Sequence, residues 1–189
     1  NWSGPIGCGL PSIVQKGVAK SAANIDDAWI GLDAEGYFSS KLSCEATVIN
    51  DADAAGIAEM EYGVGRGKEG IVMMITVGTG IGTALFSDGK LVPNTELGHI
   101  KFKGGTAEKY AANSMRKKKG WSWDEWASRF NEILHHYERL FSPDLFILGG
   151  GLSKNFHLYE HCFDCNAEII PAKMQNAAGV VGAAMAAKY

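Results

Sequence analysis

The apolar run Ile71-Val-Met-Met-Ile-Thr-Val77, the break at Gly78-Thr-Gly-Ile-Gly82 and the second run Thr83-Ala-Leu-Phe86, closing on Asp88-Gly89, constrain this chain more than any other feature. Short β-branched stretches bounded by glycine and Asp-Gly read as two strands joined by a glycine loop. A similar short run, Leu145-Phe-Ile-Leu148, ends in Gly149-Gly-Gly151, where the lack of side chains lets a ligand or another backbone come close. Upstream, Thr47-Val-Ile49 predicts a strand and Ala52 to Met60 a helix, so Asn50 and Asp51 sit at a strand-to-helix turn. Ser122-x-x-Glu125 is a capping box, and Trp126, Phe130, Ile133, Leu134, Tyr137, Leu140 and Phe141 follow at helical spacing. The Ala-rich stretch Asn176 to Ala187, with Gly179 and Gly182, predicts a tightly packed final helix, and the opening residues Asn1 to Pro11 read as a strand already under way. Strands alternating with helices make the class α/β.

The 189 residues suffice for one domain or two small lobes. With 46% hydrophobic and 21% charged residues and 24 Gly against 5 Pro, the composition excludes disordered and collagen-like chains. Ile71 to Val77 falls far short of the roughly 20 residues that cross a bilayer, so a soluble, non-membrane, cytoplasmic protein is expected. The net charge of −3 supplies no general field for nucleic acid, and no such partner is expected. The four cysteines, Cys8, Cys44, Cys162 and Cys165, suit a reducing compartment. Cys162-x-x-Cys165, with His157 and His161 nearby, offers half of a zinc site; the second half is missing, and unliganded loop thiols are the expected reading.

A P-loop is absent, since Gly67-Lys68 is followed by Glu69, and Gly78-Thr-Gly-Ile-Gly82 has the wrong spacing for a dinucleotide fingerprint. The same loop presents backbone N–H groups beside the Thr76 and Thr79 hydroxyls, which can cradle phosphate oxygens or simply turn a hairpin. Asn50-Asp51 can be a helix N-cap, or Asp51 can accept a hydroxyl proton during group transfer. Glu96-x-x-His99, after Asn94-Thr95, can hydrogen-bond a polyol or lie in a solvated turn. Between Lys101 and Lys119, seven basic residues (Lys101, Lys103, Lys109, Arg116, Lys117, Lys118, Lys119) stand against Glu108 alone, either a solvated helix end or a dock for a polyanion.

Four ordered segments, Val48-Ile-Asn-Asp-Ala-Asp-Ala-Ala-Gly56, Ile75 to Phe86, Pro93-Asn-Thr-Glu-Leu-Gly-His99 and Leu145 to Lys154, together resemble the polyphosphate glucokinase branch of the ROK sugar kinases. The resemblance extends over nearly the whole chain. It implies an actin-like, two-lobed ATPase fold, with residues 1–50 the remainder of an N-terminal lobe and 51–189 a C-terminal lobe. It implies phosphoryl transfer from polyphosphate or ATP to the 6-hydroxyl of glucose, with Mg²⁺ accompanying the donor and a homodimeric assembly. Asp51 falls on the family's catalytic base. Asn50, Glu96, His99 and Glu108 fall on sugar contacts, Gly78, Thr79 and Gly80 on a phosphate loop, and Gly149 and Gly150 on the donor-side glycines. Lys109, Arg116, Lys117, Lys118 and Lys119 would line a polyphosphate groove.

Three departures accompany the match. Residues 100–108 lack the cysteines of the zinc motif that many ROK proteins carry after Gly-His, so no zinc and no metal-ligating residue are expected. The Pro-Gly that backs the sugar is Pro11-Ser12 here. The opening Asp-x-Gly-Gly-[Thr/Ser] hairpin is absent from the sequence, so weak activity of these residues alone is expected. Two other classes compete: a ROK-type sugar-responsive regulator, for which no helix-turn-helix is seen, and a catalytically silent sugar-binding protein.

Overall fold

The computed structural model describes residues 2–187; Asn1, where the opening strand was expected to begin, lies outside them. Strand β1 (Ile6–Leu10) is followed by a small hairpin, β2 (Val14–Gln15) with β3 (Val18–Ala19), and then by helix α1 (Ala34–Leu42). Asp33 caps α1 by accepting the Gly36 amide at 3.0 Å, and Ser43 ends it in the left-handed region at φ 53°. Strand β4 (Ala46–Asn50) returns parallel to β1, pairing Ile6 with Ala46 and Leu10 with Asn50. Leu10, Val14, Ala19, Ala34 and Val48 close a small core between this pair and α1.

Without a loop, β4 runs into α2 (Asp51–Tyr62), an Ala-rich helix buried along most of its length. Strands β5 (Ile71–Val77), β6 (Ile81–Ser87) and β7 (Lys90–Val92) then form an antiparallel meander. The tiny strands β8 (Lys101–Phe102) and β9 (Gly105–Thr106), helices α3 (Ala107–Ala111) and α4 (Asn113–Lys119), and the long α5 (Trp123–Phe141) follow. Both halves of the expected capping box form at α5: Ser122 N donates to Glu125 Oε2 at 2.8 Å, and Glu125 N to Ser122 Oγ at 3.2 Å.

Strand β10 (Leu145–Gly149) enters the middle of the sheet, parallel to β5 on one side and to β11 (Glu168–Pro171) on the other, giving the order β11-β10-β5-β6-β7. A strand buried on both faces has no solvent side to alternate with, and every residue of β10 is buried. One face packs Met73, Ile75, Phe146 and Leu148 against Trp126, Phe130, Ile133 and Tyr137 of α5. The other packs Val72, Met74 and Ile147 beneath α2 and the final helix α6 (Ala177–Ala186).

Helix α6 lies between α2 and β1, and glycine sets both distances. A Cβ at Gly182 would sit 1.7 Å from the Ala54 carbonyl oxygen, and one at Gly7 would sit 1.7 Å from that of Ala183. Side chains larger than hydrogen cannot occupy either contact. The two sheets are thereby joined through helices, with a cleft open along one side.

Candidate active site

The cleft encloses about 450 Å³ where β4 meets α2, where β5 turns into β6, and where the segment after β7 crosses them. Asn50 sits at its floor, 4% exposed. Its Oδ1 accepts the amides of Ala52 at 2.9 Å and Asp53 at 3.0 Å, making Asn50 the N-cap of α2. Its Nδ2 donates to the Ser12 carbonyl and to Glu96 Oε1, both at 3.0 Å. Because Asn50 does the capping, the Asp51 carboxylate is left to the cleft. Burial by the cleft walls pushes the Asp51 pKa up, against bonds from the α2 N-terminal amides that lower it.

Glu96 and His99 flank a tight turn held from three sides. The Leu97 amide donates to Thr83 Oγ1 at 3.1 Å, the Tyr137 hydroxyl to the Leu97 carbonyl at 2.9 Å, and Gly98 lies so close to Ile81 that a Cβ would meet its carbonyl at 1.9 Å. His99 stands between two carboxylates, with Nδ1 3.6 Å from Glu96 Oε2 and Nε2 3.6 Å from Glu108 Oε2. Burial raises the Glu96 pKa most; His99 opposes that, and Asp51 and Glu108 add to it. Three carboxylates, an amide and an imidazole thus converge on one polar cleft, donors and acceptors for a molecule rich in hydroxyls.

The glycine loop forms the facing wall. A Cβ at Gly80 would press on the end of the Glu108 side chain, 2.5 Å from its Oε2, whereas Gly78 is open. The Gly78 amide is spent within the loop, on the Gly80 carbonyl at 3.0 Å. Ser114 of α4 fixes the loop's outer side, its N donating to the Gly78 carbonyl at 3.1 Å and its Oγ to the Thr79 carbonyl at 2.6 Å. Of the three amides expected in the cradle, Thr79 and Gly80 are the two with no partner among the described residues. Gly150, at φ +79°, also lines the cleft. Gly149 does not: it is buried in β10, where a Cβ would lie 2.4 Å from the Met74 methyl. A side chain there would have to displace the end of Met74.

Pro11 lines the opposite wall together with Ser21, Ala23 and Asn24. Ser12, in the place of the expected glycine, is 2% exposed and donates from Oγ to the Ser21 carbonyl at 2.7 Å, which folds that wall into place. Residues 21–24 carry no motif, and nothing in the sequence singles them out. Asp53, also passed over by the sequence, is 1% exposed; its Oδ2 accepts the Asn94 amide at 2.8 Å and its Oδ1 has no partner among the described residues.

The basic segment lies outside the cleft and is not uniform. Arg116 stacks on the Trp123 ring at 3.9 Å and donates to Asn113 Oδ1 and the Trp121 carbonyl, while Lys103 pairs with Glu132. Lys109, Lys117, Lys118 and Lys119 are exposed, the last three in the final turn of α4, where positive charge complements the helix dipole.

The chain matches the ROK family over residues 3–120. It is 45% identical over 186 residues to a polyphosphate glucokinase of Mycobacterium leprae (98% of this chain, 57% of the relative) and 43% identical to that of Mycobacterium tuberculosis H37Rv (98% and 70%). It therefore spans little more than half the length of the first of these. Among solved structures it resembles the inorganic polyphosphate/ATP-glucomannokinase of Arthrobacter sp. strain KM, at TM-score 0.93 and 47% identity over 97% of this chain and 72% of that one. A ROK family glucokinase from Streptomyces griseus, solved with glucose and AMPPNP, superposes at TM-score 0.84 with 22% identity over 98% of this chain and 81% of that one, a likeness of fold. With its actin-like α/β fold and these matches, the chain belongs to the ROK family.

Proposed function

We propose that this chain carries the sugar and phosphate site of a kinase that transfers a phosphoryl group from inorganic polyphosphate or ATP to the 6-hydroxyl of glucose. The observation that carries the reading is the division of labour at the β4–α2 junction: Asn50 caps the helix and leaves the Asp51 carboxylate to the cleft. Asp51 would take the proton from the attacking hydroxyl, and a base whose pKa is raised toward the working pH transfers protons more effectively. Glu96, His99 and Glu108 would hold the remaining sugar hydroxyls, while Asn50, expected among the sugar contacts, has its amide spent on the α2 cap, the Ser12 carbonyl and Glu96 and so would position Glu96. The free Thr79 and Gly80 amides, with Gly150 nearby, would meet the transferring phosphoryl group, whose loose transition state needs donors around its equatorial oxygens.

A cleft lined by Asp51, Glu96 and Glu108 repels a bare polyanion, and this acidic lining fits a donor that arrives with Mg²⁺. The metal would neutralise charge on the phosphates. For a long polyphosphate the reading extends along α4. Ser114 ties that helix to the phosphate loop, and Lys117, Lys118 and Lys119 stand at its far end, roughly 4.5–7.5 Å of helical rise away. Lys109 adds a fourth exposed charge, and Arg116 belongs to the packing of the helix rather than to the groove. A lobe boundary near residue 50, a homodimer and a cytoplasmic location complete the proposal. Among the described residues no helix is long and apolar enough to cross a membrane.

A sugar-responsive regulator would need the sugar contacts but not a carboxylate free to act as base, nor unpaired loop amides. The full-length protein, incubated with glucose, Mg²⁺ and either long-chain polyphosphate or ATP, should form glucose 6-phosphate with at least one donor and stop when the metal is chelated. Glucose binding without product from either donor would overturn the reading.

A further inference from the structure

The cleft leaves Cys162-x-x-Cys165 unused, and the fold separates its two thiols. Cys162 faces Asp124, Sγ to Oδ1 at 3.9 Å, with His161 alongside. Cys165 faces His135 and Glu138, which stand three residues apart on one face of α5. The helix thus sets an imidazole and a carboxylate beside one of the two thiols.

In the Cys165 group, one imidazole nitrogen, one carboxylate oxygen and Sγ all lie within 4.8 Å of one another. His135 Nδ1 and Glu138 Oε2 are 3.6 Å apart. Ligands on a tetrahedral metal at about 2.0–2.3 Å are separated by roughly 3.3–3.8 Å, so this pair already has the spacing of two ligands. Both groups are held from behind. His135 Nε2 meets Asp164 Oδ1 at 2.7 Å, and Asp164 also accepts Asn131 Nδ2 at 2.6 Å. With the ring proton on Nε2, donated to Asp164, Nδ1 would keep its lone pair 3.6 Å from Glu138 Oε2, the arrangement a carboxylate imposes behind a metal-bound imidazole. Glu138 is fixed by the Ala167 amide on Oε1 at 2.9 Å and by Asn166 Nδ2 on Oε2 at 3.3 Å.

The Asp124, His161 and Cys162 group lacks this support. Its carboxylate and imidazole side chains are 70% and 62% exposed, and His161 Nε2 turns directly onto Asp124 Oδ1 at 3.4 Å. It is an exposed histidine–aspartate contact beside a thiol.

We propose that His135, Glu138 and Cys165 form a zinc-binding site in which water fills the fourth position, clamping the segment around residues 160–166 onto α5. A thiolate, an imidazole and a carboxylate together suit zinc better than magnesium or calcium. The site is remote from the cleft and independent of the phosphoryl-transfer reading, and it revises the expectation of a protein without zinc.

The test is cobalt(II) titration of the chelator-stripped full-length protein, followed by displacement with zinc. One equivalent of cobalt per chain should produce a thiolate-to-cobalt charge-transfer band that zinc abolishes. Cys165→Ser should remove the band, His135→Gln and Glu138→Gln should each weaken cobalt binding at least tenfold, and Cys162→Ser should leave it intact. His135→Gln keeps the proposal testable if Cys165→Ser fails to fold. Absence of the band in the wild-type protein, its survival in Cys165→Ser, or its loss in Cys162→Ser would each overturn the assignment.

Discussion

Asp53 Oδ2 accepts the Asn94 amide at 2.8 Å, and Asn94 in turn clasps Val14, accepting its amide on Oδ1 at 2.7 Å and donating from Nδ2 to its carbonyl at 2.9 Å. One buried acid on α2 thereby anchors the segment that carries Glu96, and that segment anchors the hairpin beside Pro11. Asn94 adopts φ 61° to make both contacts, a conformation that asparagine tolerates better than most residues.

Burial raises the Asp53 pKa to about 6, with Glu96 and Asp51 adding to the rise and the Asn94 amide opposing it. An acid whose pKa is higher in the folded state than in the unfolded chain takes up a proton on folding between the two values. Its ionisation therefore costs stability as pH rises from about 4 to about 6, in all roughly 3 kcal/mol at about 1.36 kcal/mol per unit. Asp53→Asn should remove that dependence while keeping an acceptor for Asn94. Denaturant unfolding of both proteins between pH 4.5 and 7 should show the variant gaining on the wild type as pH rises. A constant difference across that window would contradict the assignment.

The wedge of α6 between α2 and β1 makes opposite predictions for neighbouring glycines. Gly182→Ala and Gly7→Ala would each drive a methyl into a backbone carbonyl and should cost about 1–3 kcal/mol or more. Gly179, in the same helix, has nothing within 4 Å of the position its Cβ would take. Gly179→Ala should be neutral or stabilising by up to about 1 kcal/mol, since alanine is the better helix former. Melting temperatures of the three variants measure the contrast.

The basic segment should divide in two. Changing Lys117, Lys118 and Lys119 to Gln should leave the melting temperature almost unchanged and raise the KM for long polyphosphate more than that for ATP, an effect that salt screens away. Arg116→Gln should lower the melting temperature, because it removes the stack on Trp123 and the bond to the Trp121 carbonyl. Equal polyphosphate KM values for the lysine variant and the wild type at low salt would confine those lysines to capping α4.

Local pattern made much of this legible in the sequence. The Asn50-Asp51 junction, the β5–β6 hairpin, the capping box of α5 and the buried run of β10 each follow from a few adjacent residues, whereas the opening strand starts only at Ile6 and the helices α1, α3 and α4 and the short strands β2, β3, β7, β8, β9 and β11 are not foreseen from the sequence. What stayed hidden depends on distant partners. The burial of Asp53 is created by Asn94, 41 positions away; the wall at residues 21–24 by a bond from Ser12; and the capture of Arg116 by Trp123 across the turn at Gly120. That Gly149 lies in β10 against Met74 rather than along the cleft depends likewise on a neighbouring strand. His135 and Glu138 have no motif of their own, and only the path of the loop after β10 brings Cys165 to them.

The most direct test of the central claim is Asp51→Asn in the full-length protein, with glucose affinity measured by calorimetry and turnover measured with the better phosphoryl donor. Asn50 rather than Asp51 caps α2, so the variant should fold as the wild type does and bind glucose with an affinity within a few-fold of it. Its kcat should fall by about 10²–10⁴, the usual cost of losing a general base. A variant that retained most of its kcat would show that the Asp51 carboxylate does not take the sugar's proton.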